Sequence, residues 1–121
     1  MIFFKNARVL TPLSAVDGIV AVRGGCIQGV HARLDIPAGA SVIDARGLYL
    51  APGFIDMHVH GGGGYGVMGA APEDVVKMCR AHALFGTTSM VPTTLAAPIS
   101  EVKKAIDAVR GAKGICKDCN I

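Results

Sequence analysis

The chain has 121 residues, of which 51% are hydrophobic and 17% charged, and its formal net charge is +3. It has no tryptophan and only 5% aromatics, which excludes base-stacking platforms, and its surplus cations (Lys103, Lys104, Arg110, Lys113, Lys117) gather on and after one C-terminal helix, where they suit the helix dipole. No nucleic-acid partner is therefore expected, and no apolar run is long enough to span a bilayer, so no membrane partner is expected either.

The N-terminus Met1-Ile2-Phe3-Phe4-Lys5 lacks the charged-then-apolar layout of a signal peptide. Cys26, Cys79, Cys116 and Cys119 show no disulfide spacing, so a reducing cytoplasm is the expected location. The composition is apolar for a small free-standing domain, which has a large surface to cover. It suits a piece of a larger body or a tight oligomer.

Residues 1–51 read as a small β-unit of about five strands joined by turns. Gly18 to Arg23 alternates around Val20 and Val22, Gly24-Gly25 marks a hairpin, and Cys26 to His31 returns. Pro37-Ala38-Gly39 makes a further turn. Ser41 to Asp44 and Leu48 to Leu50 are two more short strands, split by Ala45-Arg46-Gly47.

The pattern changes over residues 52–121. Phe54 to His60 reads as a strand apolar on both faces, as in parallel sheets. Gly61 to Gly69 is a glycine-rich loop. Pro72 starts a helix with Glu73 and Asp74 in its first turn and Gly86 past its end. Val75, Cys79 and His82, with Met78 beside them, share one face of it. Thr87 to Val91 is the next strand. Pro98 and Ser100 open a second helix with apolar positions Ile99, Val102, Ile106 and Val109, closed by Gly111. Gly114 to Ile121 begins a third strand. The β-α-β-α-β order implies a parallel sheet with right-handed crossovers. A closed (β/α)8 barrel needs about 250 residues, so the fold class is α/β and the chain reads as a truncated barrel. Its open sheet edge argues for a homo-oligomer, a dimer.

The chemistry concentrates in Asp56-Met57-His58-Val59-His60. Residues two apart on a strand share a face, so His58 and His60 project together with Asp56 below them, while Met57 and Val59 point into apolar packing. Two imidazoles at a strand end are half of a metal site. Asp56 either orients those ligands as an outer partner or hydrogen-bonds below them.

Gly61, Gly63 and Gly66 fit G-x-G-x-x-G, as do Gly64, Gly66 and Gly69. A dinucleotide site is opposed by Gly69 and Pro72, which break any helix opening there, and by Val91-Pro92-Thr93-Thr94, which replaces the expected acid. No Walker lysine follows. The better role for Gly61, Gly62 and Gly63 is close backbone approach to a substrate. Cys116 and Cys119 form one C-x-x-C with no second pair, read as two thiols entering a strand. His82 is a helix-packing residue, His31 belongs to the β-unit, and Thr93 and Thr94 end the second strand either on the catalytic side or as turn hydroxyls.

Val42-Ile43-Asp44-Ala45-Arg46-Gly47, followed by Leu50-Ala51-Pro52-Gly53-Phe54-Ile55-Asp56-Met57-His58-Val59-His60, resembles the opening of an amidohydrolase barrel. Gly61-Gly62-Gly63-Gly64, His82, Gly86-Thr87-Thr88-Ser89 and Pro92-Thr93-Thr94 narrow the resemblance to the N-acetylglucosamine-6-phosphate deacetylase family. It runs through the whole chain and covers about the first third of such an enzyme. The resemblance implies a metal-dependent (β/α)8 barrel beside a small β-sandwich built from both chain ends. It implies removal of acetate from an amino sugar phosphate, with one or two divalent ions, zinc or iron, in the full-length enzyme. Some members of the family lack the first-strand histidine pair and use one metal; His58 and His60 keep a two-metal arrangement open. The family's bridging glutamate, further metal histidines and catalytic aspartate would lie beyond Ile121. No catalytic residue is therefore expected within this chain, and no deacetylase activity from it alone. The alternatives are a dihydroorotase-like or allantoinase-like cyclic amidase, and a non-catalytic binding or assembly piece.

Overall fold

The computed structural model describes residues 1–121 and divides them into two compact units, Met1–Pro52 and Gly53–Ile121. In the first unit, β1 (Ile2–Leu10), β2 (Ala15–Arg23), β3 (Cys26–His31), β4 (Ser41–Asp44) and β5 (Tyr49–Leu50) form one sheet in the order β3-β2-β1-β4, with β5 also paired to β1. β1 is antiparallel to β2 and parallel to both β4 and β5. Its buried residues are Phe3, Ala7 and Val9, and the register shift between Phe4 and Ala7 brings Phe4, rather than Phe3, onto the face of Ala7 and Val9. Asn6 takes a left-handed φ of 53° there. Its side-chain amide donates to Asp44 at 3.0 Å, and its carbonyl accepts from the Gly47 N–H at 2.7 Å. This bulge ties β1 to the turn between β4 and β5. Ala7, Val9 and Val20 form the unit's small core.

In the second unit, β6 (Phe54–Val59) pairs in parallel with β9 (Thr87–Pro92), and α1 (Pro72–Ala83) is the connection between them. β7 (Gly61–Gly62) and β8 (Tyr65–Gly66) make a tight hairpin before the helix. The glycine run is thus a hairpin rather than a helix-opening loop. Ala71 precedes α1 and has no side chain to cap it; Asp74 compensates in part by accepting from the Ala71 N–H at 3.4 Å. Gly86, at φ 94°, supplies the left-handed turn after the helix. α2 (Ile99–Ile115) completes the unit.

Three expectations are corrected here. Helix α2 does not stop at Gly111 but runs through it to Ile115. Gly111 lies against α1, where a Cβ would come within 2.9 Å of Pro72 Cγ, so it serves helix contact rather than termination. The buried face of α2 is Ala105, Ala108 and Ala112, while Ile99 and Ile106 are exposed. Small side chains let the two helices approach closely, and that fixes the rotation of α2. Finally, the expected third strand is a single parallel bridge, Ser89 to Asn120. The core of the unit joins Val59, Val67, Val75, Met78, Cys79 and Met90 to the three alanines.

Strand β6 also departs from its expected two-sided burial. Val59 is buried as predicted, but Met57 is 77% exposed, and Phe54 and Ile55 are exposed beside it. α1 and the hairpin cover only the end of the strand near Val59.

Candidate functional site

Strand β6 and the residue that follows it deliver both histidines to one place. His58 Nε2 and His60 Nε2 lie 3.1 Å apart, with ring centroids 4.8 Å apart and ring planes nearly perpendicular at 84°. Both rings are accessible to solvent. His60 Nδ1 is 2.9 Å from the Thr93 carbonyl oxygen. A carbonyl can only accept, so Nδ1 carries a proton, and the neutral ring in that tautomer presents its Nε2 lone pair toward His58. Thr93 is itself held, because its N–H donates to the Val59 carbonyl at 2.7 Å. β9 thus reaches across the parallel pair and orients the ring at the end of β6.

The donor set suits a divalent ion. Two nitrogens at about 2.0–2.1 Å from one zinc stand about 3.3 Å apart across a tetrahedral angle, close to the separation here. An Nδ1–H bonded to a backbone carbonyl is the outer partner such ligands commonly have.

Asp56 makes no hydrogen bond to either ring. Its Oδ1 accepts from the His58 backbone N–H at 3.1 Å. The β6–β9 register is irregular between Asp56 and Val59, and the carboxylate takes up the amide that the irregular ladder leaves over. Gly61, Gly62 and Gly63 sit at the hairpin and pack inward. A Cβ on Gly62 would collide with the His82 ring, and one on Gly63, at φ 61°, would lie 2.5 Å from Ala81 Cβ. His82 Nε2 donates to the Gly61 carbonyl at 3.2 Å, so the packing role read for it includes a polar tie. The Thr93 hydroxyl donates to the Val91 carbonyl, which makes it a turn hydroxyl. Sequence reasoning missed the Thr93 carbonyl. The available signal was positional: the residue after a parallel neighbouring strand lies beside the end of β6.

The amidohydrolase family model matches residues 41–108, more than half of the chain and all of the histidine-bearing strand. The chain belongs to the amidohydrolase family. Similar amidohydrolases include a dihydroorotase of Geobacter sulfurreducens, 36% identical over 107 residues, which are 84% of this chain and 24% of that protein. An N-acetylglucosamine-6-phosphate deacetylase of Vibrio furnissii is 35% identical over 98 residues, covering 80% of this chain and 24% of its own length. The crystal structure of N-acetylglucosamine-6-phosphate deacetylase from Pasteurella multocida superposes with a TM-score of 0.76 at 29% identity, covering 98% of this chain and 32% of that one. The chain therefore spans about a quarter of the length of these curated amidohydrolases. The resemblance read from the sequence holds at the level of the family, with deacetylases among its relatives. No helix is long and apolar enough to cross a membrane.

Proposed function

We propose that this chain supplies the first part of a metal-dependent amide hydrolase, with His58 and His60 as ligands of a divalent ion, zinc or iron, and N-acetylglucosamine 6-phosphate as substrate. The carrying observation is the Nε2 pair at 3.1 Å, with His60 fixed by the Thr93 carbonyl. Two ring nitrogens facing each other need a proton or a cation between them. A bound ion would supply a Lewis acid for the amide carbonyl and would activate water at neutral pH. The chain's own residues hold and orient: Asp56 fixes the backbone at His58, Thr93 fixes the His60 ring, and the Gly61–Gly63 backbone borders the substrate.

Two imidazoles fall short of the three protein ligands usual in catalytic zinc sites. In this reading residues 52–121 are the first β/α units of a (β/α)8 barrel and residues 1–51 are one layer of a β-sandwich. The chain alone has no deacetylase turnover, and the complete enzyme is a cytoplasmic dimer. A second reading, a cyclic amidase, is favoured by the dihydroorotase similarity over 84% of the chain.

Zinc titrated into the 15N-labelled chain tests the site. The ring nitrogens of His58 and His60 shift together; zinc uptake that leaves both rings unchanged defeats the proposal. N-acetylglucosamine 6-phosphate added to the zinc-loaded chain shifts the Gly61–Gly63 amides, and dihydroorotate does not. The reverse result selects the cyclic amidase.

A further inference from the structure

The C-x-x-C motif is not two thiols alone. Cys79 comes from α1, Cys116 caps the C-terminus of α2, and Cys119 follows three residues later. Their three Sγ atoms all lie within 4.8 Å of one another, and all three thiols are free. Cys79 is fully buried; Cys116 and Cys119 are half-buried. The segment carrying Cys119 is pinned to β9 from both sides of Asn120. The Asn120 carbonyl accepts from the Met90 N–H at 2.9 Å, and the Asn120 N–H donates to the Thr88 carbonyl at 2.9 Å. Met90 in turn places its thioether Sδ 3.4 Å from Cys79 Sγ.

We propose that Cys79, Cys116 and Cys119 form a binding site for a thiophilic metal ion, zinc(II) or copper(I), separate from the His58–His60 pair. Thiolates at about 2.3 Å from a metal stand about 3.8 Å apart around a tetrahedral ion and about 4.0 Å apart around a trigonal one. A cluster that spans 4.8 Å reaches those spacings with side-chain shifts of about 1 Å or less. Sulfur ligands select soft ions, and the Met90 thioether adds a fourth soft donor beside Cys79. Water from the exposed side of Cys116 and Cys119 would complete a zinc site instead.

The competing role for clustered thiols is redox exchange, and the local electrostatics oppose it. Reactive thiolates gain from a helix N-terminus, whereas Cys116 stands at the C-terminal, negative end of α2. That end favours a cation. On binding, the three S–H groups lose their protons to solvent and three sulfur–metal bonds form, with no electron transferred.

The test is titration of the fully reduced chain with cobalt(II), followed by competition with zinc(II) and copper(I). One equivalent of cobalt produces the thiolate-to-metal charge-transfer absorption that histidine ligands alone do not give. Cys116→Ser and Cys119→Ser each lower the affinity at least tenfold, while His58→Ala and His60→Ala leave the band unchanged. Because Cys79 is buried and already shielded, alkylation and mass spectrometry of the unsubstituted chain follow the two half-buried thiols: zinc protects Cys116 and Cys119, but the exposed Cys26 stays reactive. Absence of the band, a band indifferent to both serine variants, or zinc that leaves Cys116 and Cys119 as reactive as Cys26 would overturn the proposal.

Discussion

His60 and Thr93 are joined across 33 residues of chain by a 2.9 Å hydrogen bond from ring Nδ1 to backbone carbonyl, and that bond decides which nitrogen faces His58. The Thr93 hydroxyl plays no part, since it is turned to the Val91 carbonyl. Thr93→Ala should therefore leave zinc affinity at the histidine pair within about threefold of the parent. Thr93→Pro removes the N–H that holds Thr93 to the Val59 carbonyl and displaces the acceptor. Loss of such an outer partner costs about 10–100-fold in metal affinity. Calorimetry of the two variants with Cys116 and Cys119 replaced by serine reads the difference at this site alone; equal affinities would remove Thr93 from the site.

Two glycines of α2 should respond oppositely to alanine. Alanine in a helix interior is better than glycine by about 0.8–1.0 kcal/mol. Gly114 has nothing within 4 Å of where its Cβ would lie, so Gly114→Ala should stabilise by a fraction of that amount near the helix end. At Gly111 the new Cβ would be 2.9 Å from Pro72 Cγ and 3.2 Å from Pro72 Cβ. A proline ring at the first turn of α1 cannot swing away, so the two helices must part. Overpacking costs about 1–3 kcal/mol, more than the propensity gain, and Gly111→Ala should lower stability. Urea midpoints of the two variants read the signs directly.

That contrast shows where the sequence was legible. Pro72, Glu73, Asp74 and Gly86 carry local helix-boundary chemistry, and α1 follows them closely. The i, i+2 spacing of His58 and His60 carries a two-residue period, and the rings converge as the period requires. Gly111 resembles a stop signal only in isolation; its meaning is the facing Pro72 ring, 39 positions away. The same holds for Cys79, which joins Cys116 and Cys119 only after α1 and α2 pack. Asn6 gave no signal at all, because a bulge is defined by partner strands rather than by its own neighbours. The alanine face of α2 was hidden for a related reason: larger aliphatic side chains dominate a periodicity reading, although close helix contact favours the small ones.

His82 should prove a stabiliser of the glycine hairpin. Its ring lies over Gly62, and its Nε2–H donates to the Gly61 carbonyl at 3.2 Å. His82→Ala loses both the ring packing and the hydrogen bond, which together should cost about 1–3 kcal/mol. His82→Phe restores the ring but not the donor, so it should recover only part of that loss. Hydrogen exchange at Gly62, Tyr65 and Gly66 should quicken more in the alanine variant than in the phenylalanine one. Equal exchange in all three proteins would show that the hairpin stands without His82.

Asp44 should make the first unit acid-sensitive. The Arg46 backbone N–H donates to Asp44 Oδ1 at 2.9 Å, the Asn6 amide donates to both carboxylate oxygens at 3.0 and 3.1 Å, and Lys5 Nζ lies 3.9 Å from Oδ2. These contacts hold the carboxyl below its ordinary value of 3.8, the Arg46 hydrogen bond contributing most. A depressed carboxylate stabilises the fold fully above its unfolded value, and that contribution disappears as pH falls through the lower folded value. Asp44→Asn cannot carry the charge, so its deficit relative to the parent should be largest near neutrality and should shrink as pH drops below 3.8. Asp74, held low by Lys77 and by the Ala71 N–H, is present in both proteins and cancels in the comparison. The group is exposed, so the readout is convergence of the two denaturation-midpoint curves at acid pH rather than a large energy. Parallel curves down to the lowest pH would mean that the Asn6–Asp44–Arg46 contacts do not discriminate the charged carboxyl.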